Sequence, residues 1–244
     1  MSSEAEPVSL RARLTALRQE WPRFLLEVVV LVLGISVSFV LEERRQEQQE
    51  RRAERQLWRA AYDNLAADSL FLTRRIGQLE MMLRSYERLL AGRTDSIDVD
   101  MDRLVSYVAF RPTDHAFEEI RQGSGSRLRN RALVARLASL YARDYDLVRE
   151  WDGIARDFVL SRMYPYLDLE GPYVASGVHD GAATGYAPVY RALSGRDDFR
   201  NLVRTHLSFK QAQITVYRRA LDGARELMTR IRPTLDATAT PPPR

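Results

Sequence analysis

Apolar residues are distributed along this chain in two ways, and each predicts a different kind of helix. From Phe24 to Leu41 they run almost unbroken, FLLEVVVLVLGISVSFVL, with Glu27 as the only charge. A helix rises about 1.5 Å per residue, so this run covers about 27 Å, close to the ~30 Å hydrocarbon core of a bilayer. Trp21 stands at one edge as an expected membrane-interface anchor, and arginines flank both ends. The segment reads as a transmembrane helix. A cleaved secretory signal has a shorter apolar stretch and a small-residue cleavage site, whereas LEERRQEQQERR follows here, with no Ala-x-Ala. A buried core helix keeps a polar stripe, yet between Val28 and Leu41 only Gly34, Ser36 and Ser38 are not hydrophobic.

Further on the pattern becomes periodic. Residues 42–57 are nearly all charged or polar and predict a solvated helical stalk. A stripe then begins at Trp58 and continues through Tyr62, Leu65, Ser69, Leu72, Ile76, Leu79, Leu83, Tyr86 and Leu90, in alternating steps of four and three. That is the period of a helix packed along its length against others. Flanking Leu57, Leu70, Phe71, Met82 and Leu89 widen the stripe, which favours a bundle core over a two-stranded coiled coil. Ala91-Gly92 before Arg-Thr-Asp-Ser predicts the stop.

Shorter elements follow: one helix within Asp98 to Phe110, ended by Arg111-Pro112, and a second, HAFEEIRQ, capped by Thr113-Asp114. A long helix is predicted from about Asn130 to Tyr164, ended by Pro165, and another from about Asp197 to Ile231, stopped by Pro233. Between them residues 165–195, rich in Gly and Pro, predict the longest irregular stretch, of the kind that often carries function. The expected fold is all-α: an N-terminal transmembrane helix continuing into a long helix that packs in an antiparallel helical bundle. The expected organisation is a tail (1–23), the span (24–41), the stalk (42–57), the bundle (58–232) and a loose tail (233–244).

Composition narrows the chemistry. There is no cysteine, which excludes disulfides and thiolate metal sites. The net charge of +4 is almost all arginine against interleaved acids, with Lys210 the only lysine, and this is no nucleic-acid signature. His115, His179 and His206 are isolated, with no His-Glu-x-x-His run to support zinc hydrolysis. Gly123-Ser-Gly125-Ser lacks the Gly-Lys-Ser/Thr of a phosphate loop and reads as a turn, and no Gly-x-Ser-x-Gly elbow exists. His179-Asp180 is the one His-carboxylate neighbour pair and reads as a solvated dipeptide. No catalytic, cofactor-binding or metal-binding set is expected.

Within the span, Glu27, Gly34 and Ser38 share one narrow face at about 100° per residue. Gly34-x3-Ser38 is a small-x3-small pair that lets helix backbones approach. Glu27 either reaches the interface from its place near the end of the span or finds a partner across a helix–helix contact.

The segment FLLEVVVLVLGISVSFVLEERRQEQQERRAERQLWRAAYDNLAADSLFL resembles the start of a family of uncharacterised bacterial membrane proteins, in which a glycine-glutamate-aliphatic anchor runs into a charged helix. AFEEIRQGSGSRLRNRALVARLASLYARDYD resembles a later block of the same family. Leu26 stands where the family usually has glycine, and the Asn-Trp-Asn run after the anchor is missing. The resemblance implies a membrane-anchored helical domain of unknown function and supplies no catalytic residues.

The expected role is therefore interaction, assembly or regulation at a bacterial inner membrane. The expected partners are lipid and a second copy or another membrane protein, not nucleic acid. The alternatives are a sensor or ligand-binding module with a pocket under the 165–195 loop, and an enzyme. Arg11, Arg13, Arg18 and Arg23 precede the span, while Arg44, Arg45, Arg51, Arg52, Arg55 and Arg59 follow it. That balance points weakly to a cytoplasmic domain, but a short tail before a first anchor points to a periplasmic one, which is the reading taken.

Overall fold

The computed structural model describes residues 10–123, 128–170 and 185–236, and every regular element among them is helical. Helix α1 runs from Leu10 to Leu90. Two short helices follow, α2 (Ile97–Val105) and α3 (His115–Arg121). Next comes α4 (Arg131–Ser139), leading through a π-helical turn (Leu140–Tyr145) into α5 (Asp146–Phe158). A second π-helical turn (Val159–Met163) leads into α6 (Tyr164–Glu170). Helices α7 (Ala187–Leu193) and α8 (Asp197–Asp236) complete the order. The chain divides into two compact units, residues 1–53 and 54–244.

In the first unit the described side chains of residues 25–41 are exposed throughout. This part of α1 belongs to a helix long and apolar enough, by length and composition, to cross a membrane.

The second unit is the bundle. Ser69 bonds to Met228, Thr73 to Arg225, Glu80 to Arg218 and Tyr62 to Arg232, so α1 and α8 run antiparallel. Asp152 bonds to Gln213, Asp144 to Arg219 and Arg136 to Glu226, so α8 also runs antiparallel to the 131–170 rod. The stop of α1 is a Schellman motif. Gly92 takes φ +73°, Arg93 N–H donates to Arg88 C=O at 3.0 Å, and Gly92 N–H donates to Leu89 C=O at 3.1 Å.

Each long helix buries a continuous row. On α8 it is Phe199, Val203, His206, Lys210, Gln213, Tyr217, Ala220, Ala224, Leu227 and Ile231, in strict four-three steps. On α1 two rows are buried or half-buried side by side. Of the stripe read from sequence, Trp58, Leu65, Leu72, Ile76, Leu79 and Tyr86 are buried, while Tyr62, Leu83 and Leu90 are half-buried against the core. The second row passes through Ala61, Asp68, Arg75, Met82 and Leu89, and contains two charges.

Several boundaries differ from expectation. Proline 165 does not end the rod, which continues to Glu170. Proline removes an intrahelical donor and crowds the carbonyl four residues back. The π-helical turn at Val159–Met163 lies just before it, where the regular α spacing is already relaxed. Likewise α8 passes Pro233 and ends at Asp236, the proline sitting in its last turn. Residues 165–195 are not one irregular stretch, since α6 and α7 occupy both ends; residues 171–184 lie outside the described residues. Helix α2 ends at Val105, so Phe110 sits in the non-helical connection that follows. Thr113-Asp114 makes no side-chain cap on α3; Thr113 is held elsewhere.

Candidate functional site

Only the ends of the connection from residue 106 to 114 bond to helix backbone, Ser106 N–H to Arg103 C=O and Asp114 C=O to Glu118 N–H, so the polar groups between them need other partners. Two buried carboxylates supply them. Phe110 N–H donates to Asp152 Oδ2 at 2.7 Å, and Thr113 N–H donates to Asp68 Oδ1 at 2.8 Å. The Tyr141 hydroxyl donates to the Thr113 carbonyl at 2.7 Å. The ring of Phe110 is itself buried, 5.0 Å from Tyr145 and 5.5 Å from Phe71.

Asp152, in the middle of α5, is the hub. Besides Phe110 N–H it accepts from the Tyr217 hydroxyl at 2.8 Å and from Gln213 Nε2 at 2.8 Å. Burial pushes its pKa up, against the hydrogen bonds from Phe110, Tyr217 and Gln213 and the Arg75 charge, which favour the carboxylate. Asp68 is also pushed up by burial, against its bonds with Thr113. Around this hub stand Arg75, 2% exposed, and Lys210 and His206, both 0% exposed. Arg75 Nη1 donates to Gln78 at 3.1 Å and the Tyr217 hydroxyl stands beside the guanidinium, but Nε and Nη2 have no acceptor in good hydrogen-bond geometry. Lys210 Nζ has no protein partner, and neither does Gln213 Oε1. Burial first, then the Arg75 charge, lowers the Lys210 pKa to about 7, with Asp152 opposing. His206 packs its ring 5.1 Å from Tyr86 and 5.3 Å from Phe158. Burial and the Lys210 charge hold His206 down at about 2, so it is neutral at physiological pH.

The other buried acids are arranged differently. Asp100 is paired with Arg88, whose Nε lies 2.8 Å from Oδ2, and accepts from Ser96 at 3.0 Å. Burial raises its pKa, but the bonds from Arg88, Ser85 and Ser96 outweigh this and the net shift is downward. Asp144 lies between Arg219 at 2.9 Å and Arg136 at 3.6 Å. These acids sit at the bundle's rim with exposed or half-exposed arginines. In the centre the cations keep donors unused.

Of the residues singled out from sequence, Glu27, Gly34 and Ser38 are exposed on α1. Gly34 and Ser38 line one shallow groove with Leu31, Ile35, Phe39 and Glu42, and the Ser38 hydroxyl donates to the Gly34 carbonyl at 2.9 Å. The side chain of Trp21 and the pair His179-Asp180 lie outside the described residues, as do residues 124–127 of the Gly-Ser turn. His115 is exposed at the start of α3. Among the described residues no group of three His, Asp or Glu could hold a metal ion. No family model matches the chain, and no curated protein or solved structure is detectably similar to it.

Proposed function

We propose that this is a single-pass bacterial inner-membrane protein whose helical domain serves interaction, assembly or regulation. The observation that carries the reading is the apolar surface of residues 25–41, whose described side chains are all exposed. Lipid is the covering that its length and composition fit. The domain is assigned to the periplasmic side, and the partner is a second copy or another membrane protein.

The full-length protein is expected to fractionate with membranes and to resist alkaline carbonate, while a chain starting near Glu42 is expected to be soluble. Release of the intact protein by carbonate would contradict the reading.

Self-association would use the face carrying Glu27, Gly34 and Ser38. A Cβ at Gly34 meets nothing within 4 Å in the single chain. Gly34→Ile is therefore expected to leave the isolated helix unchanged but to weaken a helix dimer in a membrane-association assay. Val32→Ile, at about 160° around the helix by the 100° rule, is expected to have no effect. Equal signals from the wild type and both variants would leave that face without a role.

A ligand-binding reading is favoured by a different observation than the 165–195 loop. It rests on the polar layer inside the bundle.

A further inference from the structure

The polar layer has an unbalanced charge. Arg75 from α1 and Lys210 from α8 bring two cations to the centre of the bundle, and Asp152 from α5 brings one anion. The other titratable groups around them do not correct this. His206 and Tyr217 on α8, Tyr86 on α1 and Tyr145 in the π-helical turn are neutral, with burial pushing all three tyrosines up. Asp68 lies two turns along α1; its Oδ1 accepts from Thr113 and its Oδ2 has no hydrogen-bond partner, but its charge does not act on Lys210. Asp152 itself already accepts three hydrogen bonds. Arg75 Nε, Arg75 Nη2 and Lys210 Nζ remain as buried charged donors without an acceptor. Buried donors left unmade are costly, and charged ones most of all.

We propose that the layer binds one small monovalent anion of halide size, held between Arg75 and Lys210. One negative charge balances the surplus, and a spherical acceptor can take both guanidinium donors and the ammonium together. The choice of residue fits. In a chain whose other cations are all arginine, the single lysine occupies this position. Arginine stays charged, whereas lysine can release its proton when no anion is present. Binding is thus linked to proton uptake at Lys210.

The test is thermal unfolding of the full-length protein in a nonionic detergent at pH 6. Sodium chloride replaces sodium gluconate at constant ionic strength, gluconate being too bulky to enter. Chloride at ten times its dissociation constant favours the folded state about elevenfold, a rise of about 3 to 6 °C in Tm. The rise is expected to shrink at pH 9 and to vanish in Lys210→Met and Arg75→Met. Identical melting in chloride and gluconate would overturn the proposal, as would an undiminished chloride effect in the variants. If the variants do not fold, crystals of the wild type grown in bromide decide the matter. An anomalous peak between Arg75 and Lys210 supports the site, and its absence from a well-ordered layer refutes it.

Discussion

Asp152→Ala is expected to unfold the bundle or bring it close to unfolding. The substitution removes the acceptor for Phe110 N–H, the Tyr217 hydroxyl and Gln213 Nε2 at once. It also strips Arg75 and Lys210 of the one carboxylate beside them. Breaking a buried charge arrangement from one side costs about 3–5 kcal/mol, against a total stability of about 5–15 kcal/mol for a typical domain. Asp152→Asn also leaves Arg75 and Lys210 without that charge, but it is expected to be milder than alanine because it keeps the hydrogen bonds. Its remaining carbonyl oxygen still serves Phe110 N–H. The Gln213 amide can turn so that its free Oε1 accepts from the new amide nitrogen. Urea unfolding of the three proteins measures this. Asparagine and alanine variants of equal stability would mean that Asp152 does not organise the centre.

The second large effect is in the pH dependence. Lys210 has a folded pKa of about 7, below its ordinary 10.5. Between those values the unfolded chain holds a proton that the folded chain lacks, so raising the pH favours folding. The cost of burying the ammonium is fully present below pH 7 and is relieved toward pH 10.5. From pH 7 to 9 the gain is about 2 kcal/mol, or about 4–8 °C in Tm. His206 acts in the same direction but in the window from about 2 to 6.5. Asp152 and Asp68 are raised and act the opposite way, from 3.8 upward. Lys210→Met separates these contributions, because only the lysine titrates upward of neutrality in this sense. It is expected to melt higher than the wild type at pH 6 in gluconate and to lose the rise between pH 7 and 9. A wild-type slope that survives Lys210→Met would assign the effect to other groups.

The helical fold was legible because burial follows period. The stripe from Trp58 to Leu90 and the stop at Gly92 both come from spacing and backbone chemistry that act locally. The rod from Arg131 to Glu170 was harder, since each π-helical turn inserts a residue and lets buried positions recur in steps of four, as from Val159 to Met163 to Leu167. Pro165 therefore looked like an end and was not. The polar layer is invisible to a pattern of apolar residues for a plainer reason: its members are polar or charged. His206, Lys210, Gln213 and Tyr217 lie in step with Phe199, Val203, Ala220 and Ala224 on α8, and Arg75 lies in step with Met82 and Leu89 on α1. Period without regard to polarity would have placed them inside. Their convergence on Asp152 and Phe110 depends on tertiary packing that no local pattern carries.

The membrane assignment of residues 24–41 is the claim on which the functional account rests, and cysteine accessibility tests it most directly. The chain has no cysteine, so an introduced thiol reports alone. Ile35→Cys and Gln49→Cys, expressed in bacterial membranes, would be treated with a membrane-impermeant maleimide before and after the vesicles are opened. Ile35→Cys is expected to stay unlabelled in both cases and to react only in denaturant, while Gln49→Cys is expected to label from one side, that side being periplasmic. Labelling of Ile35→Cys in opened vesicles at the rate of Gln49→Cys would show that the apolar segment does not lie in lipid.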